Sequence, residues 1–393
     1  MLTGLVSVLS VLAVSPIAPV GLYATGTTLP FQRHIVRAIA PGHGAPTLAA
    51  VLQKQGADRD GLTLYTSIDG GQSWHRDLAI QPNSSLRDTA DLLPDPDGRG
   101  FLLLYSLEPV SSQFRADVRS DVVLLHLSLV RPGNFRIDAG PTVVFRPAPG
   151  EAYFRASLAR DAKGLLHIAA THLSSGTFTW RAITAAGGKL GAPETLLASG
   201  QIFGGGRLLA AGSQVLAVYD DYQDRHPGRY RVRAAGEGAA WGPERIAAPD
   251  GLYHAGAFSL TATPDGHAHL AYSAKSSQSL HYREFDGRSW SSRTTIEPVG
   301  QWSSQVAVSH QAGKVLFAWN HFEPATGMVA IHTRERIGGA LGPVRTVAPA
   351  TNFKGYTTAI ETVLSGEPWV VGWCQQASLT ATPAEGVAAP LRP

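Results

Sequence analysis

Hydrophobic and polar positions alternate with a period of two in short runs, which glycine, aspartate and asparagine break up. "LTLY" (62–65) and the first four residues of "LHYREF" (280–285) place strongly apolar or aromatic side chains at every second position of an extended segment, as half-buried strands do. No stretch of any length sustains the 3.6-residue period of an amphipathic helix. The runs also recur as units. "SLARDAKGLLHIAATH" (157–172) aligns with "SLTATPDGHAHLAYSA" (259–274), so that Ser157 and Ser259 stand 102 positions apart. "RLLAAGSQVLAVYDD" (207–221) fits between them and "QVAVSHQAGKVLFAWNH" (305–321) follows. Second halves repeat too: "YRVRAAGEGAAW" (230–241) and "LHYREFDGRSW" (280–290) are each a strand, a glycine turn and a tryptophan, with Trp241 and Trp290 separated by 49 positions.

An interval near fifty residues, built from four short strands, is the period of a propeller blade. The pattern predicts an all-β fold: a single β-propeller with inner strands starting near residues 34, 85, 153, 203, 253, 301 and 355. Those starts give seven four-stranded blades, with six as the alternative count. The last blade supplies three strands before the chain ends, and "TTLPFQ" (27–32) is expected to add the fourth. Such a ring has no exposed sheet edges. One propeller domain over residues 26–393 follows. Residues 1–25 read as a secretory signal peptide: an apolar run before the first charged residue, Arg33, with small residues near a cleavage point at 18–25. Pro16 and Pro19 interrupt this run, so no stable membrane span is expected after its removal, and the product is secreted or periplasmic.

Composition narrows the partners. Of 393 residues 44% are hydrophobic and 16% charged, too apolar a chain for disorder. The net charge of +3 comes from scattered Lys and Arg, which argues against nucleic acid. A single cysteine, Cys374, excludes an intrachain disulfide and multi-cysteine metal sites, and its apolar neighbours predict a buried thiol. His267 and His269 share a strand face without an evident third ligand. Residues 204–206 lack the lysine and helix of a phosphate loop, and residues 94–100 lack most of a calcium loop. Neither a metal nor a cofactor is expected.

Ser67, Asp69, Gly71, Ser73 and Trp74 resemble the Asp-box, or BNR repeat, of the sialidase superfamily, and Asp286, Gly287, Ser289 and Trp290 are similar in part. The turn has a sufficient physical role: aspartate accepts backbone N–H groups, glycine supplies positive φ, and the indole packs between sheets. It joins the third and fourth strands of a blade and so lies opposite the face where inner strands begin. A structural role is expected.

Chemistry is expected at the rim where inner strands start. Arg37 (or Arg33), Arg87, Tyr153, Arg155, Arg207, Tyr253, His254, Gln301 and Tyr356 stand there, joined by loop residues such as Asp58, Asp60, Asp121, Asp220, His321 and Glu323. Arginine forks hold a carboxylate and aromatic rings stack on a pyranose, so the expected partner is a carbohydrate, specifically an anionic glycan. The resemblance implies that Tyr356 of "GYTT" (355–358) attacks the anomeric carbon, that Asp60 or Asp58 acts as the acid, and that Arg37, Arg155 and Arg207 clamp the carboxylate. The chain departs from the family in three places: the proline of "VRAIAP" (36–41) is displaced, "QIFGGGRLL" (201–209) carries no glutamate, and seven blades exceed the usual six. Two alternatives stay open: a polysaccharide lyase or related glycanase for uronate-containing glycans, using His254 and Tyr253 with Arg207 and Gln301, and a non-catalytic glycan-binding propeller.

Overall fold

A computed structural model describes residues 10–11, 15–22, 32–53, 62–81, 90–107, 120–172, 175–184, 188–198, 205–220, 227–252, 257–274, 279–297, 305–350, 353–359, 363, 367–376 and 384–392. Every regular element among them is a strand, and the strands form seven antiparallel sheets. Six sheets take strands that follow one another in sequence. The first is Ile35–Ile39, Pro46–Gln53, Leu62–Ser67 and His75–Gln81; the second Asp91–Pro94, Gly100–Ser106, Val122–Arg131 and Asn134–Phe145. The third is Tyr153–Arg160, Leu166–His172, Phe178–Ile183 and Glu194–Leu197; the fourth Gly205–Ala211, Gln214–Asp220, Gly228–Ala234 and Arg245–Ala248. Phe258–Ala262, Ala268–Ser273, Leu280–Phe285 and Thr294–Glu297 make the fifth, while Val306–Gln311, Lys314–Glu323 and Met328–Ile337, edged by Ala340–Leu341 and Arg345–Ala348, make the sixth.

The seventh sheet joins the two ends of the described chain. Phe353–Ala359, Trp369–Gln376 and Ala384–Arg392 come from the C-terminal end, and Ser15–Leu22 and Ser10–Val11 pair with the outer edge of Ala384–Arg392. The segment expected to take this place, 27–32, lies outside the described residues except for Gln32. Blade seven packs on blade one through Trp369, Val370 and Val371 against Ile35, Leu48 and Trp74 in one apolar cluster. Burial between blades seven and one therefore holds the ring closed.

Inner strands are stitched across blades by a recurring hydrogen bond. The carboxylate of Asp91 accepts the Leu158 N–H at 2.9 Å, Ser157 Oγ accepts that of Leu208 at 3.0 Å, and Ser259 Oγ that of Val308 at 3.2 Å. These polar side chains sit among apolar neighbours because an inner-strand N–H facing the preceding blade has no ladder partner and must be satisfied. The two-blade period also repeats a buried stack. His167 receives the Trp180 indole N–H, under Arg233 at 4.7 Å from the ring, and His269 meets Tyr282, under Arg336 at 5.0 Å. Cys374 is buried, as its apolar neighbours predict.

Candidate functional site

The central channel has a rim where inner strands begin and a distal end where they turn back. The turn at residues 67–74 belongs to the distal end, where a side chain added at Gly71 would meet Leu48 and Val370. Asp69 accepts hydrogen bonds from Ser67 Oγ (2.8 Å), Gln72 N (3.0 Å), Ser73 N (2.9 Å) and Ser73 Oγ (2.5 Å). Partial burial opposes ionisation, yet these donors outweigh it and hold the carboxyl below its usual range. Gly71 has a φ of 95°, which a side chain would strain, and the Trp74 indole donates back to Gly71 O at 3.2 Å. Asp69 spends its lone pairs on the turn, so the geometry gives it a structural task. Asp286 accepts from Arg288 N and Ser289 N, both at 2.8 Å, in the same manner.

Inside the channel, Arg33 grips Asp91 through two parallel bonds of 2.9 Å, and its guanidinium also reaches the Leu158 carbonyl. Asp91 is fully buried; burial alone would raise its pKa, but Arg33 and then Arg207 hold it below the usual carboxylate range. Arg207, on the fourth inner strand, is 1% exposed, so it stands deep in the channel beside this pair. Arg37 points the other way. It forms an ion pair with Glu367, in the segment between the first two strands of blade seven, which places its head group at the distal end. Burial pulls the Arg37 pKa down and Glu367 partly restores it. Below Arg33 lies a cavity of about 400 Å³ with an apolar wall of Ile35, Val36, Leu93 and Leu209.

At the rim, two inner strands carry the same irregularity. In blade three the register passes from Phe154 opposite Thr171 to Ser157 opposite Ala169, one residue more on the inner strand than on its partner. In blade seven it passes from Gly355 opposite Cys374 to Thr358 opposite Gly372, again with one extra residue. Arg155 and Tyr356 are the equivalent first residues of these two bulges. Arg155 has a φ of 51°, a left-handed conformation that is strained for a residue with a side chain. Bulges re-aim side chains and gather beside binding sites.

Tyr153 opens the same strand of blade three. Its ring contacts Phe145 (5.0 Å between centroids) and His172 (4.9 Å), and burial raises its phenol pKa against a hydrogen bond with Thr179. His172 Nε2 lies 3.3 Å from the Glu151 carboxylate, and Nδ1 lies 3.0 Å from Ser175 Oγ. This carboxylate–imidazole pair was not among the residues the sequence pointed to. The signal was there in Glu151 two positions before Tyr153, but the pairing of Tyr153 with His172 is needed to join them. A second such group stands where blade five meets blade six: His321 Nδ1 is 2.9 Å from Glu297, and the His321 and His332 rings stack at 4.3 Å.

Of the other sequence-derived candidates, Asp58, Asp60, Arg87, Tyr253, His254 and Gln301 lie outside the described residues. No helix among the described residues is long and apolar enough to cross a membrane.

No family model matches the chain, and no curated protein matches it. Solved structures do. AofleA from Arthrobotrys oligospora is 14% identical with a TM-score of 0.51, the alignment covering 83% of this chain and 89% of that one. A Trypanosoma rangeli sialidase is 10% identical with a TM-score of 0.51, covering 85% of this chain and 60% of the sialidase. At such identities the likeness concerns architecture, and it is the architecture of a β-propeller that these proteins share with this chain.

Proposed function

We propose that this protein is a glycan-acting propeller that holds an anionic sugar at its rim and cleaves it by a sialidase-like hydrolysis. The observation that supports this reading is a one-residue register shift shared by the inner strands of blades three and seven, beside Arg155 in one and Tyr356 in the other. In this reading Arg155 pairs with the sugar carboxylate and the Tyr356 phenol attacks the anomeric carbon, its proton passing to water as the new C–O bond forms. Asp58 or Asp60 protonates the leaving oxygen, and water then releases the sugar from the tyrosine. A phenol suits this task because, being neutral, it brings no second anion against an anionic substrate. Likeness of fold to a sialidase adds support of a weaker kind, since one propeller architecture hosts many activities.

A non-catalytic binding propeller is the second reading. It draws support from Arg37, whose pairing with Glu367 at the distal end deprives the expected three-arginine clamp of one member.

The test is release of 4-methylumbelliferone from its sialoside by the purified protein. Turnover that Tyr356→Phe abolishes, with binding retained, is the expected result. Saturable binding to anionic glycans without turnover leaves the second reading standing. New absorbance of unsaturated uronate from acidic polysaccharides, with sialosides untouched, replaces both by a lyase.

A further inference from the structure

Glu297 ends the outer strand of blade five, whereas His321 and His332 lie on the second and third strands of blade six, near the turn that joins them at the rim. The three side chains are 16%, 17% and 14% exposed. One ligand atom from each lies within 4.8 Å of the others. Individual separations are 2.9 Å from His321 Nδ1 and 3.9 Å from His332 Nδ1 to the same Glu297 oxygen. Four-coordinate zinc with bonds of about 2.0 Å needs its ligand atoms about 3.3 Å apart, so these distances bracket that value. Among the described residues no hydrogen-bond partner reaches the buried His332 Nδ1, and buried ring nitrogens left so are uncommon. Beside the cluster, Arg334 ties blade six to the Ile296 carbonyl next to Glu297 at 2.5 Å.

We propose that Glu297, His321 and His332 form a binding site for a divalent transition-metal ion, zinc before others, which clamps blade five to blade six beside the rim. Two imidazoles and one carboxylate suit a borderline cation such as zinc, and they suit calcium or magnesium poorly, which take all-oxygen shells. Three protein ligands leave a coordination position open for water or a sugar hydroxyl. The site does not depend on the hydrolytic reading and stands or falls without it.

The test is calorimetric titration of the chelator-treated full chain with zinc chloride. One zinc per chain is expected at micromolar or tighter affinity, with a rise in melting temperature and no comparable response to calcium. His332→Ala and His321→Gln should each weaken binding by 100-fold or more. Glu297→Gln keeps the shape of the site and serves where a histidine variant fails to fold; it should weaken binding at least tenfold. No stoichiometric zinc binding by the wild-type chain overturns the proposal, as does equal affinity in a folded variant.

Discussion

Arg33 and Asp91 form a two-pronged ion pair whose carboxylate also accepts the backbone N–H of Leu158. Three blades thus meet at one buried charge pair, with Arg207 of a fourth close enough to help stabilise it. Asp91→Ala leaves the Arg33 guanidinium buried without its partner and the Leu158 N–H without an acceptor. A loss of about 3–5 kcal/mol is expected in urea unfolding. An Asp91→Leu, Arg33→Met double variant should recover much of that loss, because it removes both charges together. A double variant as unstable as Asp91→Ala would contradict this account.

Asp69 gives a contrasting result. Its four hydrogen bonds all close one turn at the distal end, so Asp69→Ala is expected to cost about 1–3 kcal/mol while leaving glycan binding or turnover unchanged per folded molecule. Unfolding curves set beside assays normalised to folded protein separate the two effects.

Stability should fall on mild acidification because of His269. Burial pushes its pKa down to about 4 from an ordinary 6.5, with Glu284 only partly opposing. Below about 6.5 the unfolded chain takes up a proton that the folded chain refuses until about pH 4, so the neutral ring's contribution is present above this window and lost within it as pH falls. The slope is about 1.4 kcal/mol per pH unit for one such group. Denaturant unfolding at pH 7 and pH 5 should give a smaller difference for His269→Asn than for the wild-type chain. An identical difference assigns the acid sensitivity elsewhere.

Arg155 is expected to trade stability for function. Glycine relaxes at a φ of 51°, so Arg155→Gly should leave stability unchanged or raise it by up to about 1 kcal/mol, while affinity for an anionic sugar falls tenfold or more. A variant that loses stability and keeps its affinity would make the bulge a purely structural device.

Pairing of Ser15–Leu22 with Ala384–Arg392 and cleavage of the chain near residues 18–25 exclude each other. We expect exported protein to begin near residue 25 and so to lack the Ser15–Leu22 strand, while Gln32 stays bonded to the Ala156 carbonyl of blade three at 2.8 Å. Mass spectrometry of the mature N-terminus decides between this arrangement and a retained Ser15–Leu22 strand.

Much of the fold is legible because its causes are local. Period-two alternation sets strand faces, glycine and aspartate set turns, and the 102-residue echo of Ser157 in Ser259 marks equivalent inner strands. Residues 67–74 could be read as a structural turn for the same reason: every bond that closes it lies within a few positions. The candidate site is another matter. Arg37 stands early in an inner strand, as expected of a rim residue, yet Glu367, far along the chain, draws its head group to the distal end.

Sequence alone therefore determined that the chain is built of strands in a repeating ring, since a strand's periodicity and a turn's residues are properties of neighbours. Tertiary structure decided which charges meet. Ser157 with Leu208, Glu151 with His172, and Glu297 with His321 and His332 come together only once blades stack and the chain circles the channel. Long-range electrostatic and hydrogen-bond partners are set by that packing, and no local pattern encodes them.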